Sequence, residues 1–329
     1  MATGERTPIA LLNGPASGRM AITEAIMNLA AADVGDIGQI RLSANWMAPC
    51  GDPGEDAILY DTVQEVGLNF CPKLGVSIPV GKDSCSMHAV WQDRKGETKK
   101  QVAPLSLVVS SFAPVKDVRL TLTPDLKPGA GTKLVYVDVS GTSGLESASP
   151  LGATALAQVY NQLGDTHADA DAAALKRFFN AMQVVVREKL ALAYHDRSDG
   201  GLAVTLSEMA ITGGRGINVT LPDGDALQQL FNEQPGAVLQ VSDANLDKVL
   251  ALFKKAKVEA VVIGEPTDDR AVEIAVGVFR LSVTCSTAPG CSLKSCSSAS
   301  PSGSFAIMPR PPVIAISASV TAMPPSERS

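Results

Sequence analysis

The segment YHDRSDGGL combines residue types that can bind a cation together with phosphate oxygens. Asp196 carries the hard oxygen ligands that Mg²⁺ prefers, and Ser198 can donate a hydrogen bond to a phosphate. Gly200 and Gly201 begin a predicted helix, whose free N–H groups favour anions and whose glycines permit close approach. Two alternatives stay open on these residues: a magnesium–phosphate site, or an ordinary turn in which Asp199 caps the helix.

A second pair of polar residues lies on a predicted helix over residues 19–34. The apolar stripe of this helix consists of Ile22, Ile26 and Leu29. Glu24 and Asn28 lie four residues apart on another face, so one ion can contact both side chains. The alternative is that both residues lie on a solvated helix face. Without other evidence, the pair favours this alternative over an ion site.

A third polar group, formed by Lys82, Asp83 and Ser84, follows a predicted strand in the segment PVGKDS. Gly81 and Lys82 resemble the end of a phosphate-binding loop. However, the first glycine of GxxxxGK[ST] is absent and Ser84 comes one place late, so the loop is not of that type. The segment is a candidate contact for substrate or phosphate at the exit of a strand.

Bulk composition limits the classes of partner. The net charge of −6 and the pI of about 5.2 argue against a general binder of nucleic acid or of anionic membranes. The chain shows neither a long uncharged apolar run nor a signal-peptide core, and Cys50, Cys71 and Cys85 are scattered as in reduced proteins. These features predict a cytoplasmic location. Three further cysteines crowd near the C-terminus without CxxC spacing, which does not favour a zinc site.

Strand and helix patterns alternate along most of the chain and predict a mixed α/β fold with layered sheets. Glycines at 129–131 mark a boundary between a first domain, 1–128, and a second domain, 129–274. In the first domain, Asp52 is predicted to cap a helix. Residues 275–329 are rich in Ser, Pro, Ala and Cys, and we expect a tail that is disordered or out of frame.

Several long motifs in order resemble one family. They are LSANWM, IPVGKDSCSM, PLSLVVSSFAPVKDVRLTLTP, LGATALAQVYNQLGD, HDRSDGGL with the following LSEMA, and FNEQPGAVLQV. Over residues 1–274 the chain resembles the large, single-chain phosphoribosylformylglycinamidine synthases of purine biosynthesis. The resemblance implies a PurM-like architecture, with an N-terminal αβ domain followed by a C-terminal αβ domain. Departures from the family pattern include Asn13, Cys85 and the pair Gln234-Pro235.

The resemblance also implies a function. The family is an ATP-dependent ligase that converts formylglycinamide ribonucleotide, glutamine and ATP to formylglycinamidine ribonucleotide. It implies Mg²⁺ and ATP or ADP as cofactors, with Glu24, Asn28 and Asp196 as metal ligands and Ser198 beside the nucleotide. A further aspartate ligand is expected upstream of Met1.

The expected partners are another synthetase half and a glutaminase domain, neither of which the sequence matches. We therefore expect this segment to be inactive alone and to self-associate. The alternative to a ligase segment is a catalytically inactive scaffold that binds nucleotide and Mg²⁺. A defective gene product is a third interpretation.

Overall fold

The computed structural model of the chain describes residues 1–141, 145, 149–285, 304–307 and 316–321. It contains two αβ domains, so the predicted fold class is confirmed. In the described part of the chain, no helix is long and apolar enough to cross a membrane.

The N-terminal domain places helices against one face of a four-stranded sheet. Its strands are β1 (Ala2–Glu5), β2 (Arg41–Met47), β3 (Ser77–Ser84), β4 (His88–Gln92), β5 (Thr98–Val102) and β6 (Ser106–Phe112). Its helices are α1 (Gly14–Leu29), α2 (Glu55–Gln64) and α3 (Cys71–Leu74), with a π-helical turn at Glu65–Phe70 between the last two.

The sheet of this domain has the order β1-β6-β2-β3, and β4 pairs separately with β5. Side chains alternate along the strands, so Leu42 and Ala44 of β2 face the helices together with Leu107 and Val109 of β6. β3 runs parallel to β2 at the edge, with Lys82 opposite Asn45.

The C-terminal domain is built on a nine-stranded sheet. Its strands are β7 (Thr132–Asp138), β8 (Ala193–Arg197), β9 (Gly216–Leu221), β10 (Gly236–Ser242), β11 (Glu259–Thr267), β12 (Ala271–Val276), β13 (Phe279–Cys285), β14 (Ser304–Ile307) and β15 (Ile316–Thr321). Its helices are α4 (Ala155–Val159), α5 (Ala172–Arg187), α6 (Gly201–Gly213), α7 (Ala226–Phe231) and α8 (Asp243–Lys255).

The strand order is β14-β15-β13-β12-β9-β11-β7-β10-β8, which puts β8 at one edge. β8 pairs with β10 in antiparallel register, with Asp196 opposite Ala237. β8 ends at Arg197, so the chain leaves the sheet at Ser198 and enters α6 at Gly201.

The two domains share a hydrophobic core, and polar contacts between them add to it. Buried side chains of α1, β2 and β6 belong to the same cluster as those of α5, β7 and β10. The hydroxyl of Tyr194 donates to the Met27 carbonyl at 2.8 Å, and Arg19 donates two hydrogen bonds to Asp169 at 2.8 and 2.7 Å. Residues from both domains therefore meet in a fixed geometry where α1 contacts β8.

Four local predictions are wrong. Helix α1 begins at Gly14 instead of residue 19, because the Asn13 side chain accepts from the Ala16 N–H at 3.0 Å and caps it. Asp52 does not cap α2, whose N-cap is Gly54. Polar residues at 82–84 and 195–197 belong to strands β3 and β8 rather than to the turns after them.

The fourth correction concerns the tail. Residues 279–285 form β13, which pairs with β12 and buries Leu281, so regular structure continues past residue 275. β15 adds to β13, and β14 adds to β15. A β-hairpin satisfies its backbone through pairing and needs few apolar side chains, which is why composition alone did not predict it. The rest of the predicted tail lies outside the described residues.

Candidate functional site

Glu24 and Asp196 meet at a small cavity between the two domains. α1 supplies Glu24, the end of β8 supplies Asp196, and Ser198 lies beside them. The cavity is lined by Arg6, Met20, Thr23, Glu24, Met27, Asp196, Arg197, Ser198 and Pro235. Its volume of about 10 Å³ matches one ion or water and is too small for a phosphate group. The structure thus brings together three of the residues that the sequence singled out.

The electrostatics of Glu24 reflect this convergence. Burial raises the pKa of Glu24 to about 7, although Arg6 and the Glu5 N–H, which donates to Glu24 Oε2 at 2.8 Å, act to lower it. The carboxylates of Asp196 and Asp199 add to the rise by like-charge repulsion. A divalent cation between these carboxylates would relieve the repulsion.

Arg6 is the cation already present beside these carboxylates. Its side chain is 3% exposed, and it forms an ion pair with Asp199. The same guanidinium donates to the Glu233 carbonyl at 3.2 Å and lies 3.6 Å from Glu233 Oε2. Arg6 of the N-terminal domain therefore contacts two carboxylates of the C-terminal domain, Asp199 just before α6 and Glu233 beside the start of that helix.

Glu233 takes the place of the predicted cap of α6. Its Oε1 accepts from the Gly200 N–H at 2.8 Å and from the Ala155 N–H at 2.8 Å, and burial raises its pKa. Asp199 makes no cap, because its carboxylate turns toward Arg6 and Gly200 is the N-cap residue. The predicted capped turn with Asp199 is therefore wrong.

Packing, and not only the predicted ligand binding, explains why glycine occupies positions 200 and 201. Gly201 has a φ of +66°, and a Cβ there would lie 2.6 Å from the Asn232 carbonyl oxygen. Gly200 has a φ of +79°, and its Cβ would lie 2.3 Å from Val204 Cγ2. Both positions need glycine for the chain to enter α6.

Asn28, the third predicted metal ligand, does not line the cavity. It lies one turn beyond Glu24, and its Nδ2 donates to the Thr3 carbonyl at 3.1 Å. A metal would therefore have to be bound by its amide oxygen. Ser198 is half-buried, and its hydroxyl makes no hydrogen bond within the described residues.

His195 lies next to the cavity and carries a perturbed pKa. Burial acts to lower this pKa, but carboxylates on both sides outweigh it and raise the value to about 9. Its Nδ1 lies 3.2 Å from Asp196 Oδ1, and its Nε2 lies 2.7 Å from Glu208 Oε2. The imidazolium thus pairs with the carboxylate that is predicted to bind metal.

The third predicted group stays apart from this cavity. Lys82 and Asp83 are exposed on the edge strand β3, and Ser84 is half-buried. Lys82 Nζ donates to Ser84 Oγ at 2.8 Å, so the group is satisfied within its own strand.

A larger cavity opens between the outer face of the N-terminal sheet and the segment around α4. It has a volume of about 820 Å³, in the range of small-molecule sites. Its lining is Glu5, Thr7, Pro8, Leu11, Met47, Pro104, Ser106, Val108, Ala153, Gln158, Asn161, Gln162 and Leu163. The sequence analysis did not predict it, because its walls come from four separate stretches of chain.

The residues at the small cavity fit a divalent ion in part. Glu24 and Asp196 provide two carboxylates that repel one another, which suits a hard cation. Within the described residues, no group of three or more His, Cys, Asp or Glu side chains is arranged to hold a metal. The predicted set does not conflict with this finding, because it consists of two carboxylates and an amide.

Arg6 and Glu233 are the residues that sequence reasoning missed. They are far apart in the chain, and the motifs assigned no role to either residue. The signal available for Glu233 was its position in FNEQPG, immediately before the turn into β10.

The fold is that of a PurM-like protein with two αβ domains. Residues 1–114 match the FGAR-AT PurM_N-like domain, and residues 129–277 match the AIR synthase related protein, C-terminal domain. The chain therefore contains these two domains in the order that its motifs implied, which confirms the resemblance seen in the sequence.

Solved structures share the same fold. Thermotoga maritima PurL complexed with FGAR is 14% identical with a TM-score of 0.61, over 84% of this chain and 43% of that one. The same protein complexed with ATP is 14% identical with a TM-score of 0.59, over 84% of this chain and 41% of that one. Escherichia coli HypE, a hydrogenase maturation protein, is 17% identical with a TM-score of 0.58, over 84% of this chain and 82% of that one. The chain spans about two fifths of the length of the PurL chains that it matches.

Proposed function

We propose that this chain is the nucleotide- and magnesium-binding part of an ATP-dependent formylglycinamidine ribonucleotide synthase of purine biosynthesis. The observation that carries the proposal is the meeting of Glu24 and Asp196 from two domains at one cavity, with Ser198 beside it. Family membership and the fold shared with PurL structures solved with ATP, ADP and FGAR support it.

The residues of the site have distinct roles in this proposal. Glu24 and Asp196 would hold Mg²⁺, with the Asn28 amide oxygen as a further ligand. Bound Mg²⁺ would neutralise the charge of the nucleotide phosphates, which two carboxylates otherwise repel. Ser198 would donate its hydroxyl to a phosphate oxygen. Arg6 fixes the position of Asp199 and of the Glu233 carboxylate at the start of α6.

The large cavity is the place for the organic part of a ligand. The small cavity has room for about one ion, whereas the large one has the volume of a nucleotide-sized molecule. Its lining joins the N-terminal sheet to the segment around α4, so a ligand there would contact both domains. We assign formylglycinamide ribonucleotide or the nucleoside of ATP to this space, and glutamine-derived ammonia as the nitrogen donor.

A non-catalytic scaffold that binds nucleotide is the second candidate. It is favoured by Glu233, whose carboxylate already occupies the Gly200 N–H that an incoming phosphate would use. A catalytic site needs this donor for the phosphate that it transfers, whereas a scaffold could hold ADP through Mg²⁺ and Ser198 without it. Binding with no formation of product in the presence of ATP, ammonia and formylglycinamide ribonucleotide would support this candidate.

Self-association is a further part of the proposal. β3 is an edge strand of the N-terminal sheet, and it exposes Val80, while Trp91 is exposed on the neighbouring hairpin. An unpaired strand edge with apolar neighbours favours pairing with a second copy. Sedimentation velocity at micromolar concentration should show a dimer, and a monodisperse monomer would contradict it.

Calorimetric titration with ADP tests the proposed function. The full chain should bind ADP in the presence of Mg²⁺, and chelation of the metal should abolish the binding. Replacing Ser106 with Trp should fill the large cavity and weaken binding, while Thr98→Trp on the exposed hairpin should not. Binding of equal strength with and without Mg²⁺ would contradict the proposal.

A further inference from the structure

Two cysteines that are far apart in sequence lie opposite one another in the N-terminal domain. Cys50 lies in the turn after β2, and Cys85 directly follows β3. Pro49 and Ser86 form an antiparallel bridge, and the Cys50 N–H donates to the Cys85 carbonyl at 3.1 Å. In this register Cys50 and Cys85 lie directly opposite one another on the two paired segments, so their side chains project from the same face.

The geometry of such a pair suits a disulfide. Residues opposed in this way have Cα atoms about 5.5 Å apart. Disulfides span Cα separations of about 4.4–6.8 Å, so the bond can form without moving the backbone far. Both cysteines are free thiols; Cys85 is exposed and Cys50 is half-buried, so a soluble oxidant reaches the pair.

We propose that Cys50 and Cys85 form a dithiol that oxidised glutathione converts reversibly into an intrachain disulfide. The Cys50 thiolate attacks one sulfur of oxidised glutathione, and the first reduced glutathione leaves. Cys85 then loses its proton and attacks the Cys50 sulfur of the mixed disulfide, which releases the second glutathione. The two protein thiols lose two electrons and two protons, and one oxidised glutathione becomes two reduced molecules.

The surroundings of Cys85 support this order of attack. A hydrogen bond with the Cys50 thiol, partial desolvation and the Asp83 carboxylate raise the pKa of Cys85 to about 11. Cys85 is thus a thiol at neutral pH and reacts slowly by itself. Once Cys50 is joined to glutathione, its thiol no longer hydrogen-bonds to Cys85, and the departing glutathione thiolate takes up the proton that Cys85 loses.

The bond would join the ends of β2 and β3, next to Lys82, Asp83 and Ser84. This is the exposed edge of the N-terminal sheet. Oxidation would therefore fix the edge that is available to a partner. Cys71 provides an internal reference, because it is buried and burial raises its pKa to about 12.

The experiment uses the purified full chain in mixtures of reduced and oxidised glutathione, followed by peptide mapping. We expect a linked peptide pair containing Cys50 and Cys85, lost with dithiothreitol, while Cys71 stays a thiol. In the Cys85→Ser variant, Cys50 should instead accumulate as a stable glutathione adduct. Stable glutathione adducts at both cysteines of the wild-type chain, or two unmodified thiols in oxidised glutathione alone, would overturn the proposal.

Discussion

The polar segments at the ends of β8 and β3 lie in opposite surroundings. Asp196 and Arg197 are buried at the junction of two domains, where Arg6 lines the same cavity and the Gln234 carbonyl accepts a hydrogen bond from Arg197. Lys82 and Asp83 lie on an exposed edge, where their side chains hydrogen-bond to Ser84 and Cys85, each two residues further along the chain. The difference shows that a polar strand end becomes a candidate site where a second domain buries it and adds charges.

The largest effect should come from removing the buried cation of the β8 segment. Arg6→Met leaves Glu233 buried beside Asp199 without its partner, which should lower the free energy of unfolding by about 3–5 kcal/mol. Urea denaturation measures this change. Arg119→Met is the matched control, because Arg119 is exposed and pairs only with Asp117, so its midpoint should stay near that of the wild type. Equal urea midpoints for Arg6→Met and Arg119→Met would contradict the claim that the charges around β8 are buried and interdependent.

The next effect concerns pH. Glu24 has a folded-state pKa of about 7, above its unfolded value, so the folded state retains a proton that the unfolded state loses. Its contribution is present below pH 4.5 and is lost as pH rises through 7, a decrease of up to about 3 kcal/mol. The pKa of His195 is also raised in the folded state, to about 9. Its contribution to stability is therefore also lost as pH rises, and the decrease in stability continues to about pH 9.

Glu24→Gln should therefore flatten the lower part of this profile and leave the part between pH 7 and 9. Denaturation curves at half-unit pH steps measure it, with Glu273→Gln as an exposed control that should follow the wild type. An unchanged slope between pH 5 and 7 in Glu24→Gln would show that the carboxyl is not buried in the way described.

The third effect compares two glycines with the same backbone conformation. Gly201→Ala combines a φ of +66° with an overlap against the Asn232 carbonyl, and it should cost about 2–3 kcal/mol. Gly51→Ala has a φ of +84° but nothing within 4 Å of the new Cβ, so the cost should be about 1 kcal/mol. Thermal unfolding of both variants measures the difference, and equal losses would mean that the α6 entry can shift.

Much of the fold followed from local patterns. The strand and helix alternation and the helix after HDRSDGG depend on periodicity and glycine placement, which the sequence contains. The start of α1 and the role of Asp52 were mispredicted, since they depend on which polar atoms meet in space. Asn13 binds its own helix, whereas Asp52 pairs with Lys100 and His88.

The candidate site was predictable only in part. Glu24, Asp196 and Ser198 came from motifs and from the family resemblance, and the structure places them at one cavity. The roles of Arg6 and Glu233 could not be predicted, because they arise from a contact between distant segments of the chain. The pairing of Cys50 with Cys85 likewise depends on the register of two strand ends.

The most direct test of the proposed site is the affinity for Mg-ADP of Asp196→Asn, measured by calorimetry against wild type and Asp61→Asn. Asp61 is an exposed carboxylate on α2, so its variant controls for the loss of one negative charge. Loss of the Asp196 ligand should weaken binding by about tenfold, equivalent to about 1.4 kcal/mol, while Asp61→Asn binds like the wild type. Equal affinity of Asp196→Asn and wild type for Mg-ADP would contradict the role of the β8 segment as a metal site.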